Sequence, residues 1–424
     1  MAGRRSAPGA GLTMLAPTSE GIPEFARDTA ELRAWHEALR AEFPIITRHP
    51  ELVFLDSAAT SQKPRAVLDA VHAYLTTSNA NAGRGAYPWA NRTTALVERT
   101  RSRVKGFLGD RAPGASTVHF VSGTSEGLRA VALDWLTTWL TDGDEIIVPF
   151  ADHQANLSPW LEAQRLLGRQ GVGIHVRALP RQAVSGDYDH VALAEMVGPR
   201  TRFVAATHVH HVYGADMDIH RLREAVGPEV VICLDAAQSV GHLPVSVSDL
   251  DVDFVVFSGH KALALPGSGA VWCRGERGPE FRPGGWSGTP NTVGIASVEA
   301  ALDWLHAAGT DRVARWNRAL AAQLTDGLRH LSPYTVLGCQ RSLPADADVR
   351  RREGIVTFRH REIPSDDLGF ILFDRGFMVR ADSLCQAGAD GTEEKDGAVR
   401  VSVHVYNSPE EIERLLSVLA TLDD

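Results

Sequence analysis

Cysteine is scarce in this chain. Its 424 residues include four, Cys233, Cys273, Cys339 and Cys385, set far apart. Too few and too scattered, they exclude a disulfide framework and a zinc knuckle. Long apolar runs are missing as well, and none approaches the length of a membrane span. Positive charge is not in excess either: Lys and Arg number 43 against 52 Asp and Glu, a net charge of -9. Neither nucleic acid nor an anionic membrane is therefore expected as a partner. The N-terminus begins Met1-Ala2-Gly3-Arg4-Arg5, but Gly and Pro interrupt the residues after it, so no signal-peptide apolar core forms. The expectation is a cytoplasmic protein.

What is present fits a soluble globular chain: 44% hydrophobic and 22% charged residues are ordinary values. The length favours two domains and a large buried core. Residues 1–24, rich in Gly, Pro, Ala and Ser, read as a disordered tail. Residues 25–50 read as a helical segment packing with the small domain, since Leu32, Trp35, Leu39 and Phe43 recur at helical spacing. A large domain is expected over 51–305 and a smaller α+β domain over 306–424. Within the large domain, helices are expected from Pro64 to Tyr74 and from Thr93 to Leu108. Short apolar runs at Val118–Val121, Glu145–Pro149, Gly171–Arg177, Phe203–His211, Val230–Leu234 and Asp253–Phe257 read as strands. In the small domain, strands are expected at Gly354–Phe358, Phe377–Arg380 and Ala398–Val403, with a helix from Ser365 to Asp374.

Three of these strands end in residues with chemistry to offer. Asp253-Phe254-Val255-Val256-Phe257 runs into Ser258-Gly259-His260-Lys261. A lysine at the mouth of a buried strand is disfavoured as a cation, and a neutral amine is what bond formation to an aldehyde requires. Val230-Val231-Ile232-Cys233-Leu234 ends in Asp235, where a pyridinium nitrogen would find its counter-charge. Val118-His119-Phe120-Val121 turns through Ser122-Gly123-Thr124-Ser125-Glu126-Gly127 into a helix. Outward N–H groups, a helix dipole and hydroxyls suit a phosphate there, although Ser and Thr also cap helices with no ligand.

Asp235-Ala236-Ala237-Gln238 followed by Ser258-Gly259-His260-Lys261 resembles the class V aminotransferase family, and within it the cysteine desulfurase and selenocysteine lyase branch. The resemblance runs from about Phe54 to the C-terminus. It implies a pyridoxal 5'-phosphate (PLP) enzyme of fold type I, an α/β architecture with a mostly parallel, seven-stranded-type sheet, acting as a homodimer. Lys261 is then the residue that bonds the cofactor and moves protons, Asp235 the partner of its ring nitrogen, and His153 the ring stacked upon it. The resemblance also implies that Gln238 and His211 contact the cofactor's ring oxygen. Thr124, Ser125, Ser258 and His260 would hold its phosphate, with Thr289 reaching the phosphate of the other subunit.

Arg400 lies within an apolar strand, where a guanidinium needs an anion: an internal carboxylate or a substrate's α-carboxylate. The resemblance implies the second, and places Arg84 with the substrate-binding residues. Cys385 lies in the loop ahead of that strand, where the desulfurases keep the cysteine that takes up sulfur. Several positions depart from the family pattern. Gly83 and Tyr87 stand where histidines usually flank Arg84-Gly85, His211 stands where Asn is usual, and Ser383-Leu384 replaces a His-His pair before the cysteine. His208, His210 and His211 invite a metal reading, but no third ligand follows at metal spacing, so no metal is expected.

The implied reaction is desulfuration of L-cysteine, or an analogue such as selenocysteine, to L-alanine, with a sulfur-acceptor protein as a further partner. Two alternatives stay open. One is a class V enzyme of secondary metabolism, a C–S lyase, epimerase or aminotransferase, acting on another amino acid. The other is a catalytically silent PLP-fold scaffold.

Overall fold

The computed structural model describes residues 30–83, 85–182, 185–275, 280–281, 289–338, 352–384 and 397–422. Arg84, Cys339 and Cys385 therefore lie outside the described residues, as does the expected N-terminal tail. The first strand, β1 (Val53–Phe54), is followed by β2 (Ser116–Val121), β3 (Glu145–Val148), β4 (His175–Ala178) and β5 (Thr201–Thr207). Then come β6 (Val231–Asp235), β7 (Phe254–Ser258), β8 (Gly269–Arg274), β9 (Tyr334–Val336) and β10 (Ile355–His360). The chain closes with β11 (Phe377–Met378), β12 (Arg380–Asp382) and β13 (Ala398–Ser402).

Seven strands form the large sheet in the order β2-β8-β7-β6-β5-β3-β4. Only β8 runs against its neighbours; the other pairings are parallel. This is the mostly parallel sheet expected of an α/β chain. Its central strands read as unbroken apolar runs because both faces are covered. Ile147, Val204, Ala206, Ile232, Leu234, Val255 and Phe257 enter the core on one face. Their sequence neighbours Ile146, Val148, Phe203, Ala205, Val231, Cys233, Phe254 and Val256 enter the core on the other. The two-residue period of a strand makes this division automatic.

A second, four-stranded sheet has the order β12-β13-β10-β9 and is antiparallel throughout. The sequence predicts one strand over Phe377–Arg380, and the structure splits it. β11 pairs with β1 in parallel, whereas β12 joins β13. The helix Ala30–Ala41 is anchored to this half of the molecule: His36 stacks on Trp316 with 4.3 Å between ring centroids, and Arg40 binds Glu411 at 2.6 Å. The last helix, Pro409–Ala420, begins with a reciprocal capping box between Ser408 and Glu411.

Other boundaries shift modestly. The helix expected from Thr93 begins five residues earlier, at Pro88, whose fixed φ suits a first turn. The strand expected to carry three histidines ends at Thr207, so His208, His210 and His211 lie beyond it.

Candidate active site

Parallel α/β sheets offer a crevice at the carboxyl ends of their strands. Here the ends of β2, β3, β5, β6 and β7 supply Thr124, His153, His208–His211, Asp235 and Lys261. β7 leads into a tight turn, Gly259–Lys261, in which Gly259 donates its N–H to the Ser268 carbonyl at 2.7 Å. A Cβ at Gly259 would run into the Ser268 hydroxyl, so only glycine allows this approach. Burial pushes the Lys261 amine down to about 8. Arg400 and Arg380 push the same way, against the pull of Asp235 and Asp56. The lysine is thus poised near neutrality as a nucleophile and proton acceptor.

Asp235 closes β6 with its carboxylate buried and one oxygen accepting from the Ala237 N–H at 2.9 Å. Burial raises its pKa, and that N–H and Lys261 only partly offset it. A desolvated carboxylate gains most from a cationic partner. The ring nitrogen of a bound pyridine is such a partner.

His153 follows β3 and caps the turn Gln154–Asn156, its Nδ1 accepting from the Ala155 N–H at 3.1 Å. The ring proton therefore sits on Nε2. Burial, then the Lys261 cation, holds the pKa down at about 4, so the imidazole is neutral. At the end of β2, the Thr124 N–H donates to the Ser258 Oγ at 2.8 Å, and the two hydroxyls lie 2.8 Å apart. Ser125 is exposed on the same turn, and Thr289 is exposed on a separate segment.

The His260 ring is neutral too, burial holding it at about 4 with help from Lys261 and Lys63. Its carbonyl, in the peptide just before Lys261, gathers four donors. These are the Ser61 N–H and hydroxyl, both at 3.0 Å, the Lys63 Nζ at 3.1 Å and the Thr60 hydroxyl at 3.3 Å. The turn after β1 thereby straps the lysine turn in place. Burial lowers the Lys63 amine to about 8. The sequence alone does not single out Lys63, whose one signal is its adjacency to the helix-starting Pro64.

The three histidines after β5 face different partners. His208 is tied through its backbone to Asp235 and Met217. His210 accepts from the Val212 and Tyr213 N–H groups at 3.2 and 3.1 Å and stacks on Tyr213. Behind it, the fully buried Asp152 accepts from the Tyr188 hydroxyl at 2.8 Å and from Arg181. His211 donates from Nε2 to the Leu384 carbonyl at 3.1 Å and stands edge-on to the His153 ring at 5.1 Å. Burial holds the His211 pKa well below its usual value. A neutral imidazole has one N–H, so Nδ1 is left as an acceptor, and it has no partner among the described residues. Gln238 donates to the Ala58 carbonyl at 2.9 Å, while its Oε1 is buried and likewise lacks a partner among them.

Arg400 is 2% exposed in β13. One arm binds Asp56 at 3.0 Å and the other the His211 carbonyl at 3.2 Å, while Nε has no partner among the described residues. The internal ion pair left open by the sequence is therefore present. Directly opposite in the register stands Arg380, which binds both oxygens of Asp382 at 3.0 and 2.9 Å. Facing cations repel unless anions intervene, and this pair has two. Arg380 and Asp56 carry no signal in the sequence, because only the cross-strand register and the β1 turn bring them to Arg400.

Cys385 and Arg84, both expected in the site, lie outside the described residues. Cys233 and Cys273 are buried away from this crevice in the core. Burial raises the first thiol well above its usual value and the second to about 12, so neither is a ready nucleophile.

The buried Asp235 and the hydroxyl-lined turn at Thr124 together fit a phosphorylated pyridine aldehyde. Comparison with known proteins points the same way. The family model for aminotransferase class-V matches residues 53–415. A probable cysteine desulfurase from Vibrio cholerae is 30% identical over 90% of this chain and 97% of its own length. A cysteine desulfurase from Salmonella typhimurium is 31% identical over 91% of this chain and 98% of its own. Among solved structures, the apo cysteine desulfurase from Thermococcus onnurineus superposes with a TM-score of 0.79 at 27% identity, covering 91% of this chain and 97% of that one. The cysteine desulfurase CsdA from Escherichia coli gives 0.76 at 28% identity over 91% and 98%.

Proposed function

The chain belongs to the aminotransferase class-V family, and from that premise we propose that it is a PLP-dependent cysteine desulfurase, converting L-cysteine to L-alanine and sulfur. The observation that carries this reading is the desolvated Lys261 amine beside a buried Asp235, at two adjacent strand ends, with the Arg400 guanidinium close enough to depress the lysine. Full-length likeness to proteins named cysteine desulfurase supplies the substrate class.

Bound in this crevice, the cofactor supplies an electron sink for the pair left at the substrate's Cα. Asp235 would keep the ring nitrogen protonated, His153 would lie against the ring, and Thr124, Ser125, Ser258 and His260 would hold the phosphate. Arg400, shared with Asp56, receives the substrate carboxylate, with Arg84 assisting. Lys261 removes the Cα proton and returns it. The Cys385 thiolate forms an S–S bond to the substrate sulfur as the Cβ–S bond breaks. The electron pair of the broken bond ends in a new Cβ–H bond, leaving L-alanine and a Cys385 persulfide. A thiol reductant or a sulfur-acceptor protein then takes the terminal sulfur.

A homodimer, with Thr289 completing the partner's phosphate site, belongs to the same proposal, as do two domains meeting near residue 305 and a cytoplasmic location. No helix among the described residues is long and apolar enough to cross a membrane.

The test is alanine and sulfide release from L-cysteine with reductant present, in the wild type and in Cys385→Ala. Loss of alanine in the variant supports persulfide transfer. Alanine that survives points to direct lyase chemistry. A cofactor spectrum that responds to other amino acids but never to cysteine favours the class V enzyme of secondary metabolism.

A further inference from the structure

One side chain brackets Lys261. The Ser61 hydroxyl, on a residue 1% exposed, donates at 3.0 Å to the His260 carbonyl, in the peptide just before the lysine. The same oxygen accepts at 2.9 Å from the N–H of Leu263, just beyond the lysine. Leu263 is fully buried at φ +65°, the left-handed region that residues with a Cβ seldom occupy. Such a conformation persists only where the surroundings over-determine it, and the bond to Ser61 is one of the contacts that do so.

Lys63 adds a second hold. Its amine goes to oxygens other than a carboxylate: the His260 carbonyl at 3.1 Å, the Thr60 hydroxyl at 3.4 Å and the Ser61 carbonyl. An ammonium desolvated without a carboxylate costs free energy, and an apolar side chain would fill the same space without that cost. What the amine adds is its grip on the His260 carbonyl. A peptide unit is planar, so holding that oxygen also orients the unit's nitrogen, which belongs to Lys261. A lysine stem is long and flexible, and fixing its base limits where its amine can go.

We propose that Ser61 and Lys63 are positioning residues for Lys261: by clamping the turn before and after it, they aim its amine at the cofactor's aldehyde carbon and contribute little to holding the cofactor itself. The inference rests on the reading of Lys261 as the residue that bonds PLP. In that step the lone pair of the neutral amine attacks the aldehyde carbon and a C=N bond forms. The aldehyde oxygen leaves as water, carrying both protons of the amine.

The test makes two measurements on the full-length apoenzyme. The rate of C=N formation at saturating PLP, followed by absorbance, reads the aim of Lys261. The Kd of pyridoxine 5'-phosphate, from calorimetric titration, reads the crevice alone, because an alcohol replaces the aldehyde and no bond to lysine forms. Both are read at pH 9, above the value of about 8 for the Lys261 amine, where its charge enters least.

Lys63→Met keeps the length of the side chain but removes the donor. The rate should fall about tenfold, the worth of one hydrogen bond, while the Kd of pyridoxine 5'-phosphate stays within about twofold. Ser61→Ala, which removes both ends of the bracket, should do the same and keeps the test decisive should the Met variant not fold. An unchanged rate, or a rate and an affinity that fall together, would overturn the proposal. C=N formation that survives in Lys261→Ala would instead overturn the reading of Lys261 beneath it.

Discussion

The two walls of the crevice are built in opposite ways. On the large-sheet side, Asp235, Ser258 and Lys261 sit at or just past the ends of β6 and β7, strands buried on both faces and paired with parallel or antiparallel neighbours. Backbone geometry sets their positions, and hydrogen bonds such as Ala237 to Asp235 finish them. On the other side, Arg380 and Arg400 face each other across β12 and β13, held by carboxylates from Asp382 and from Asp56, a residue 344 positions away. One wall is rigid through its sheet and the other through its charges. The cofactor half should therefore tolerate polar changes in its surroundings, while the substrate half should fail when a single charge is lost.

Breaking the first wall at its one indispensable group should have the largest effect. Lys261→Ala removes the amine proposed to transfer the proton, and turnover should fall by at least about a thousandfold. Alanine production measures this, and substantial residual turnover would reassign the base. Next comes the charged wall. Arg400→Gln leaves the Asp56 carboxylate without its partner and should cost about 3 kcal/mol of stability, read by denaturant unfolding. It should also raise KM for cysteine far more than it lowers kcat. A KM unchanged beside lost stability would make Arg400 a purely internal ion-pair residue.

A smaller effect separates the walls further. Ser258→Ala removes the acceptor of the Thr124 N–H and a candidate phosphate donor, so the Kd for PLP should rise about tenfold by spectral titration. Stability should change less than in the Arg400 variant. An unaltered Kd would leave Ser258 a purely structural cap.

Changes of pH give the mildest perturbation. The Lys261 amine titrates near 8, so its neutral fraction grows as pH rises from 7 to 9, and the apoenzyme should recapture PLP severalfold faster at the upper end. In the other direction, His36, His153, His242 and His260 are held near 4 in the folded chain against 6.5 unfolded. Between those values the unfolded state binds more protons, so stability falls as pH drops from 6.5 to 4. A Tm flat across that window would contradict the neutral histidines.

Much of the large-sheet wall was legible in the sequence because its signals are local. Apolar runs of strand length ending in Asp235, Lys261 and the Thr124 turn announce both the strands and the residues at their ends. The helix Ser365–Asp374 was legible for the same reason. Of the substrate wall, only Arg400 and its strand were. The run Phe377–Arg380 looks like one strand, yet its halves serve different sheets, which no periodicity reveals. Lys63 and Asp56 carry no local pattern that marks them, because what matters is a carbonyl at His260 and a guanidinium at Arg400, each about two hundred residues or more downstream.

By itself, the sequence determined the alternation of buried strands, the family resemblance and the chemical groups at the strand ends, since side-chain period and turn chemistry act between near neighbours. Only the tertiary structure decided that Arg400 is already paired, that Arg380 faces it, and that the one proton of His211 belongs to Leu384. Those outcomes depend on which distant groups meet in a site where burial makes every unpaired charge and donor costly.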